Sequence, residues 1–212
     1  ETYGIVDLES NLEIKNFDTN KQSKFFINDF NWVSNKWLNK FGFENHFKGQ
    51  VKTVNYETNK IEAYKNNTSN TELKSALGYF TKLGLYKNNS ITNSFYTFTP
   101  KLLLRYAPGQ MRNIEGGRLN YGNLFSLNKI NQPDVIETGL SSSIGFEYKK
   151  NKLNKEKDTT NEVFSFSAGQ VIRADENMDV PSSTSMDQKF SDVVGEMVYN
   201  INEKVNLSYN FS

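Results

Sequence analysis

The feature that most constrains the fold of this chain is a two-residue alternation of apolar and polar side chains that persists over about ten residues at a time. Residues 96–106 are the segment around which the predicted fold is organised. One parity holds Tyr96, Phe98, Leu102, Leu104 and Tyr106, and the other holds Thr97, Thr99, Lys101 and Arg105, with Leu103 as an apolar exception. Because successive side chains of a strand point to opposite faces, the segment is predicted to be a two-faced strand. Such a strand fits a soluble sandwich, with its apolar face buried, or an outer-membrane barrel, with that face in lipid and the polar face in a wet lumen.

The same alternation recurs along the chain and predicts about nine strands, without a convincing helix. The predicted strands cover 5–15, 26–32, 41–53, 72–85, 96–106, 136–148, 164–173, 193–199 and 205–211. The predicted connections are 17–23, 34–39, 55–70, 87–90, 107–134, 149–161, 174–189 and 200–204. Many of these strands exceed the ~5–6 residues usual in soluble sheets and match the ~9–11 that cross a bilayer. After the first hairpin, short and long connections mostly alternate, as they do in outer-membrane barrels.

These observations favour an all-β fold, in which residues 1–212 form a single segment of the wall of an antiparallel up-and-down transmembrane β-barrel. We expect a partial, open barrel of about nine strands, in which strand 5–15 does not pair with strand 205–211. The polar parity carries long cations and several glutamates, which do not fit the narrow interior of a barrel of about eight strands. Single-chain bacterial barrels also have an even number of strands.

Composition agrees with this interpretation. The chain is 36% hydrophobic, against ~45–50% in ordinary soluble domains, yet it contains 16 Phe and 11 Tyr. Such a balance suits a wall in which only alternate residues meet lipid and aromatic side chains form interfacial girdles. No apolar run approaches the ~18–20 residues that a membrane helix needs. The formal charge of +1 argues against a dedicated nucleic-acid binder.

The sequence contains no catalytic or metal-binding pattern. It has no cysteine, and His46 is its single histidine, so a thiolate site or a histidine pair is excluded, and no Ser-His-Asp or paired-carboxylate arrangement stands out. We therefore expect neither enzymatic activity nor a cofactor. The first residues lack the charged and apolar regions of a signal peptide, which suggests a mature chain or an internal fragment.

Alternation also assigns side chains to the two sides of the predicted wall. The lumen-facing candidates are Glu44, His46, Lys48, Lys52, Lys74, Lys82, Lys101 and Arg105. The lipid-facing candidates are Phe41, Phe43, Phe47, Leu102, Leu104 and Phe146. The cations among the first set could contact anionic groups of a passing substrate, since Lys and Arg both bind phosphate. The alternative is ordinary lumen polarity, balanced by Glu44, Glu72, Glu137 and Glu147.

Two local features give further predictions. Pro100 lies in mid-strand and has no N–H for the ladder, so we expect a bulge or a missing ladder bond there, with Leu103 displaced from simple parity. The long segment 107–134 should fold inward over the lumen. It contains too much apolar surface to leave in water, namely Met111, Ile114, Leu119, Tyr121, Leu124, Phe125, Leu127 and Ile130.

From residue 97 onward, short motifs follow one another in the order found in a known family. Thr99-Pro100-Lys101 followed by Tyr106-Ala107-Pro108 resembles the Glu-Pro-Arg and Tyr-x-Pro box in the barrel of the LPS-assembly protein LptD family. Leu127-Asn128-Lys129-Ile130 is similar to its Leu-Asp-Arg-Ile, and 135–140 to the stretch leading into its Gly-Leu and a strand. Ala168-Gly169-Gln170 is similar to its Val-Gly-Gln, and 191–196 to its Ser-Asp-Leu-x-x-Glu. Thr99, Asn128 and Lys129 depart from the family's residues.

The resemblance implies a large barrel in the outer membrane of a Gram-negative bacterium. Such a barrel takes lipopolysaccharide (LPS) from a periplasmic protein bridge and delivers it to the outer leaflet. A lipoprotein plugs its lumen, and a lateral gate opens between its first and last strands. By this resemblance, the family's periplasmic N-terminal domain and the ends of its barrel lie outside 1–212. The alternatives are a porin or receptor-type transporter and, less favoured, a soluble all-β binding protein.

Overall fold

The computed structural model describes residues 3–130, 132–154, 159–202 and 205–212. Within these residues the chain forms eleven β-strands and one 3-10 turn at Ser183–Ser185. The strands are β1 (Ile5–Asn16), β2 (Gln22–Val33), β3 (Trp37–Leu38), β4 (Phe43–Asn59), β5 (Ser69–Leu83), β6 (Leu85–Asn89), β7 (Ser94–Ala107), β8 (Gly139–Asn154), β9 (Thr159–Arg173), β10 (Val194–Asn202) and β11 (Val205–Phe211). The all-β prediction is confirmed.

All strands belong to one antiparallel sheet with the order β1-β2-β4-β5-β7-β8-β9-β10-β11. The two short strands lie off this path: β3 pairs with β4, and β6 pairs with β7. β5 and β6 share one register against β7, since Lys82 is opposite Lys101 and Leu85 is opposite Phe98. The main path therefore has nine strands, as predicted. Among the described residues β1 and β11 do not pair, so the sheet is open.

The sheet has two different faces. Segments 108–138 and 174–193 pack against one face, which we call the covered face; the opposite one is the bare face. In β4 the even-numbered residues lie on the covered face, where Val54 is fully buried, and Val51 on the bare face is 41% exposed. Bare-face side chains are apolar on every strand of the main path. They include Leu8, Leu12, Phe30, Phe47, Val51, Leu77, Leu104, Ile144, Met197 and Leu207.

The two ends of the sheet also differ. At one end, the long-loop end, lie the turn 17–21 and the connections 60–68, 108–138 and 174–193. At the other, the short-loop end, lie 34–42 with β3 and the turn 90–93. The predicted turns 149–161 and 200–204 are described only in part, because residues 155–158 and 203–204 lie outside the described residues.

Three predicted boundaries are wrong. The loop predicted over 55–70 is confined to 60–68, because β4 continues to Asn59 and β5 begins at Ser69. Its polar sequence concealed a strand whose covered face carries Val54 and Tyr56. The charged segment after residue 148 likewise continues β8 to Asn154. Phe41 is not in a strand; it lies in a turn in which the Asn39 side-chain oxygen accepts bonds from the N–H groups of Phe41 and Phe43, at 3.0 Å each.

Pro100 has no bulge. Its pairing with β8 is continuous, with Thr99, Pro100 and Lys101 opposite Glu147, Phe146 and Gly145. On the other side the ladder is interrupted between Lys101 and Phe98, where Gly84 separates β5 from β6. Pro100, which has no backbone N–H to donate, therefore lies where the ladder between β7 and its neighbours β5 and β6 is interrupted. The register of β5 and β6 against β7 is the same on both sides of this interruption. The predicted displacement of Leu103 is wrong, since it shares the covered face with Arg105 and is fully buried there.

Candidate functional site

The long segment 108–138 lies flat on the covered face, as its apolar content predicted. Its side chains form one core with residues of β9, β10 and segment 174–193. This core consists of Met111, Ile114, Leu119, Leu124, Ile130, Val135, Val171, Val180, Met186 and Val194. Tyr121 and Phe125 pack against it, and Leu127 packs with Ala76, Ala107 and Ile136 in a second cluster. Burial of these side chains stabilises the loop on the sheet.

Three glycines let the loop approach the strands closely. Each lies on the covered face of a different strand and faces a large apolar side chain of the loop. A β-carbon on Gly169 would collide with Leu124 Cδ2, one on Gly78 would lie 2.7 Å from Leu127 Cδ2, and one on Gly145 would lie 3.2 Å from Phe125 Cζ. Real β-carbons essentially never come within 3.0 Å of a heavy atom, so a side chain at Gly78 or Gly169 would force the facing leucine to move, and at Gly169 it would also lie 2.6 Å from the backbone oxygen of Ile144.

Four cations of the covered face donate hydrogen bonds to backbone carbonyls of the same loop. Lys48 Nζ lies 2.9 Å from Phe125 O, Lys52 Nζ lies 2.6 Å from Pro133 O, and Lys74 Nζ lies 3.0 Å from Asp134 O. Arg105 Nε donates to Leu127 O. A carbonyl bond to a charged donor is stronger than one between neutral groups. These side chains therefore attach the loop at points spread over β4, β5 and β7.

A fully buried group of four charges lies beneath the loop; we call Arg105, Lys129, Glu137 and Arg173 the buried quartet. Arg173 donates to Glu137 Oε1, and Arg105 donates to the backbone carbonyl of Glu137. Lys129 Nζ lies 3.6 Å from Glu137 Oε2. Arg173 also donates to Met186 O at 2.7 Å, which ties segment 174–193 to the same group. Arg105 on β7 and Arg173 on β9 thus both hold Glu137 of segment 108–138, and Arg173 also holds segment 174–193.

The quartet contains three cations and one anion, and this imbalance shifts the pKa values of its loop members. Burial alone would raise the pKa of Glu137, but the charges of Lys129, Arg105 and Arg173 lower it to about 2. Burial lowers the pKa of Lys129, and the two arginines lower it further against the opposing effect of Glu137. Glu137 is therefore ionised at neutral pH and is the only counter-charge within the quartet.

A second charged group fastens the loops at the long-loop end. Arg112 bridges two carboxylates, 2.6 Å from Glu72 Oε1 and 2.7 Å from Asp134 Oδ2, and its guanidinium lies 4.2 Å from the ring centre of Tyr64. The Tyr64 hydroxyl donates to Asp134 Oδ2 at 2.6 Å. Burial would raise the pKa of Asp134, but the bonds from Tyr64 and Arg112 lower it. This group joins connections 60–68 and 108–138 to β5.

Comparison with known protein families shows which family the chain belongs to. The family model described as LptD, LPS transport system D, matches residues 6–212. The chain belongs to the LptD family. Comparison with curated proteins finds no match. Membership assigns this LptD chain to LPS transport and assembly, a transport family and not an enzyme family. Among the described residues, none of the helical structure is long and apolar enough to span a membrane.

In this LptD chain, all eight candidates predicted for the polar side lie on the covered face. Besides the four that bind the loop, Lys101 pairs with Glu147 at 2.7 Å, and Lys82 pairs with Glu44 at 3.3 Å. His46 is buried against Phe80, with ring centres 4.9 Å apart. Of the apolar candidates, Phe43, Phe47, Leu102, Leu104 and Phe146 lie on the bare face, and Phe41 lies in its exposed turn.

The sequence did not single out Arg112, Lys129, Asp134 or Arg173, and it treated Glu137 only as background charge. The sequence contains only a weak signal for these buried charges. Lys129 is a lone cation between the apolar residues Leu127 and Ile130, and the loop motif that resembles the family places a charge at this position. Its partners on β7 and β9 are distant in sequence, so only the folded sheet brings the four charges together.

Proposed function

We propose that this LptD chain forms part of the wall of an outer-membrane barrel that delivers LPS to the outer leaflet. The observation that carries the proposal is the bare face. It presents exposed large apolar side chains on eight of the nine strands of the main path, from Val6 and Leu8 on β1 to Leu207 and Tyr209 on β11, and β9 adds the partly buried Phe166. An apolar surface of this extent on a soluble protein would drive aggregation, and a bilayer is the solvent that suits it.

A row of aromatic side chains adds to the apolar character of the bare face. Phe98, Phe146, Phe166 and Phe211 form this row, with neighbouring ring centres 5.3, 5.8 and 6.1 Å apart. Barrels of this class have short periplasmic turns and long extracellular loops. We therefore assign the short-loop end to the periplasm and the long-loop end to the cell surface.

The covered face then lines the lumen, and segments 108–138 and 174–193 cover it from the cell surface. We no longer expect four of the predicted cations to contact the substrate, because they bind backbone carbonyls of the loop. They are Lys48, Lys52, Lys74 and Arg105. Their role is to hold the cover in place. Lys82 and Lys101, each paired with a partly exposed glutamate, are the remaining cations of this set that face LPS.

We propose LPS, outer-membrane lipid, the periplasmic bridge proteins that supply LPS and a lipoprotein plug in the lumen as the partners of this function. Family membership supports LPS and the LPS-transport machinery in general. The wall contributes shape and polarity to the transport path and carries out no covalent chemistry.

Controlled depletion of the full-length protein in its own host tests the proposal. LPS labelled at the cell surface should decrease while newly made LPS accumulates inside the envelope, and a plasmid copy should restore the surface signal. A porin or receptor-type transporter gives a different result. Its depletion would leave surface LPS unchanged and reduce the uptake of a solute, and that outcome would refute the proposal.

A further inference from the structure

The sheet contains an unpaired strand edge between β5 and β7. β5 begins at Ser69, but its pairing with β7 begins only at Leu77, which is opposite Tyr106 near the end of β7. Residues 69–76 therefore have β4 on one side only. In the described part of the chain, no strand or loop forms a backbone hydrogen bond with their other edge. The free N–H and C=O groups of this edge need polar partners, because hydrocarbon cannot supply them.

The corresponding edge of β9 is closed by a loop. β9 also extends past its neighbour, since its pairing with β10 ends at Gly169. There, Ser191 N–H donates to Val171 O at 3.0 Å, and Arg173 N–H donates to Lys189 O at 2.8 Å. Segment 174–193 thus supplies the missing strand partner for β9. Segment 108–138 lies beside β5, but among the described residues it forms no backbone hydrogen bond with the free edge of β5. An opening therefore remains in the wall between 69–76 and 108–110, and we call this opening the notch.

Two adjoining cavities meet at the notch. A polar cavity of ≈ 260 Å³ lies on its inner side and is lined by Glu72, Lys74, Gln110 and Thr138 among others. An apolar groove of ≈ 450 Å³ lies on its outer side, lined by Phe30, Trp32, Val51, Leu77 and Tyr106 among others. Ser75 and Pro108 belong to both linings. The notch therefore joins a polar compartment to an apolar groove on the bare face.

The charges of the polar cavity are already compensated. Glu72 accepts from Arg112 at 2.6 Å and from Lys74 at 3.1 Å, and Lys74 also donates to Asp134 O. The remaining hydrogen-bonding capacity comes from the backbone edge of β5 and the exposed amide of Gln110. This set suits uncharged hydroxyls and amides better than a phosphate, which would need an unpaired cation.

We propose that the notch binds one molecule of LPS, with an acyl chain in the apolar groove and the hydroxyl and amide groups of its saccharide head against the edge of β5. The inference rests on the proposed function, which places the groove in lipid and the long-loop end at the outer leaflet. An acyl chain covers the apolar lining, and the head supplies partners for the unpaired backbone groups. A phospholipid offers the same acyl chain, but its small head has few hydroxyl groups and no sugar amide for the edge of β5; the phosphates of either lipid would lie outside the compensated cavity.

Site-specific photocrosslinking in the full-length protein, in membranes of its own host, tests the notch. A photoreactive amino acid is placed in turn at Ser75 and Tyr106 in the notch, at Ile144 on the bare face outside it, and at Lys82 on the covered face. We expect crosslinks to LPS at Ser75, Tyr106 and Lys82, and crosslinks to phospholipid without LPS at Ile144.

The possible results separate the inference from the proposed function. Capture of LPS at Lys82, with only phospholipid captured at Ser75 and Tyr106, would overturn the proposal that the notch binds LPS, and it would leave the proposed transport function intact. Equal capture of LPS at Ser75, Tyr106 and Ile144 would also overturn it, because the groove would then be ordinary lipid-facing wall. Absence of LPS from all four positions would overturn both.

A blocking variant gives an independent measurement. Ser75→Trp places an indole at the junction of the two cavities, and Leu207→Trp places the same group on the bare face of β11, four strands from β7. We expect Ser75→Trp to reduce LPS capture at Tyr106 by about tenfold, the effect of losing about 1.4 kcal/mol of binding. Leu207→Trp should leave it unchanged. Equal capture in the two variants at equal protein levels would contradict the proposal.

Discussion

At the scale of single residues, Glu137 is the side chain on which the docked loops most depend. It is fully buried, and it is the one carboxylate among three buried cations. Its carboxylate and its backbone carbonyl are bound by side chains from two strands, β7 and β9. Burial of a charge is costly unless it is paired, so removal of this one anion leaves the cations of the quartet without compensation.

Glu137→Gln should destabilise the protein by about 3–5 kcal/mol, the cost of removing one partner from a buried ion pair. The measurement is equilibrium unfolding of the full-length protein in lipid vesicles. Glu147→Gln is the matched control: it removes a carboxylate from the partly exposed pair with Lys101, and about 0–1 kcal/mol is expected. Equal decreases of the free energy of unfolding in the two variants would show that charge pairing in the buried quartet does not provide this stability.

The docked loops should also loosen in acid. The pKa of Glu137 lies at about 2 in the folded protein, below its ordinary value of 4.5, so folding favours the ionised form. That contribution is complete above about pH 4.5 and is lost as the pH falls toward about 2. Asp134 has a lowered pKa as well and acts in the same direction. Proteolysis within 108–138 should therefore accelerate below about pH 4.5, and Glu137→Gln should remove most of this pH dependence.

At the scale of elements, segment 108–138 acts as a cover that three glycine positions fit to the sheet. Leu124 is fully buried, and its contact with Gly169 leaves no room for a β-carbon on that strand. The loop is long, but its core is shared with β9 and β10. It behaves as part of the wall in packing, although it has no strand of its own.

Leu124→Ala should cost about 2–5 kcal/mol, as truncations of buried leucines do, and should partly release the cover. In the proposed barrel, release opens the lumen, so we expect increased uptake of a large antibiotic that the intact outer membrane excludes. Leu8→Ala is the control, since this leucine is 65% exposed on the bare face of β1, away from the cover and the notch. If antibiotic uptake were unchanged in Leu124→Ala at a normal level of folded protein, segment 108–138 would not be what closes the lumen.

The strands give a prediction about depth in the membrane. Ile144 is a bare-face residue in the interior of β8, and Ile14 is a bare-face residue near the end of β1. Ile144→Arg should cost about 2–4 kcal/mol in a bilayer, and Ile14→Arg about 0–1 kcal/mol, because the cost of a cation on the lipid face falls toward the interface. Unfolding from vesicles measures both. Similarly small losses of unfolding free energy in Ile144→Arg and Ile14→Arg would argue against burial of the bare face in lipid.

At the scale of the whole molecule, the sheet is open at both sides. β1 pairs only with β2, and β11 pairs only with β10, among the described residues. Each outer edge leaves a row of N–H and C=O groups that lipid cannot satisfy. A barrel that contains this sheet must supply a further strand at each of these edges.

The 212-residue chain by itself should therefore not insert stably into vesicles. We expect it to aggregate or to remain open to protease when it is refolded with lipid, whereas the full-length protein becomes protected. The unpaired edges are the physical reason, since each buried backbone group without a partner costs several kcal/mol. Protection of the chain alone, as a monomer, would mean that β1 and β11 pair in the membrane.

The sequence by itself determined which residues share a face, and therefore the fold class. Alternation has a period of two wherever a strand separates two solvents, so Phe47 and Lys48, or Leu104 and Arg105, were assigned to opposite sides without a structure. It did not determine where polar strands end, because Asn55, Glu57 and Asn59 look like loop residues until Val54, Tyr56 and Thr58 are seen to pack.

Only the tertiary structure decided what the polar face does. Lys48, Lys52, Lys74 and Arg105 were predicted as polar wall residues, and their use as fasteners for 108–138 depends on carbonyls tens of residues away. The same holds for the quartet, whose charges come from β7, β9 and one loop, and for the unpaired edge of β5. Alternation is local because it follows from backbone geometry, whereas the partner of a buried charge or of a free strand edge is set by the register of strands far apart in the chain.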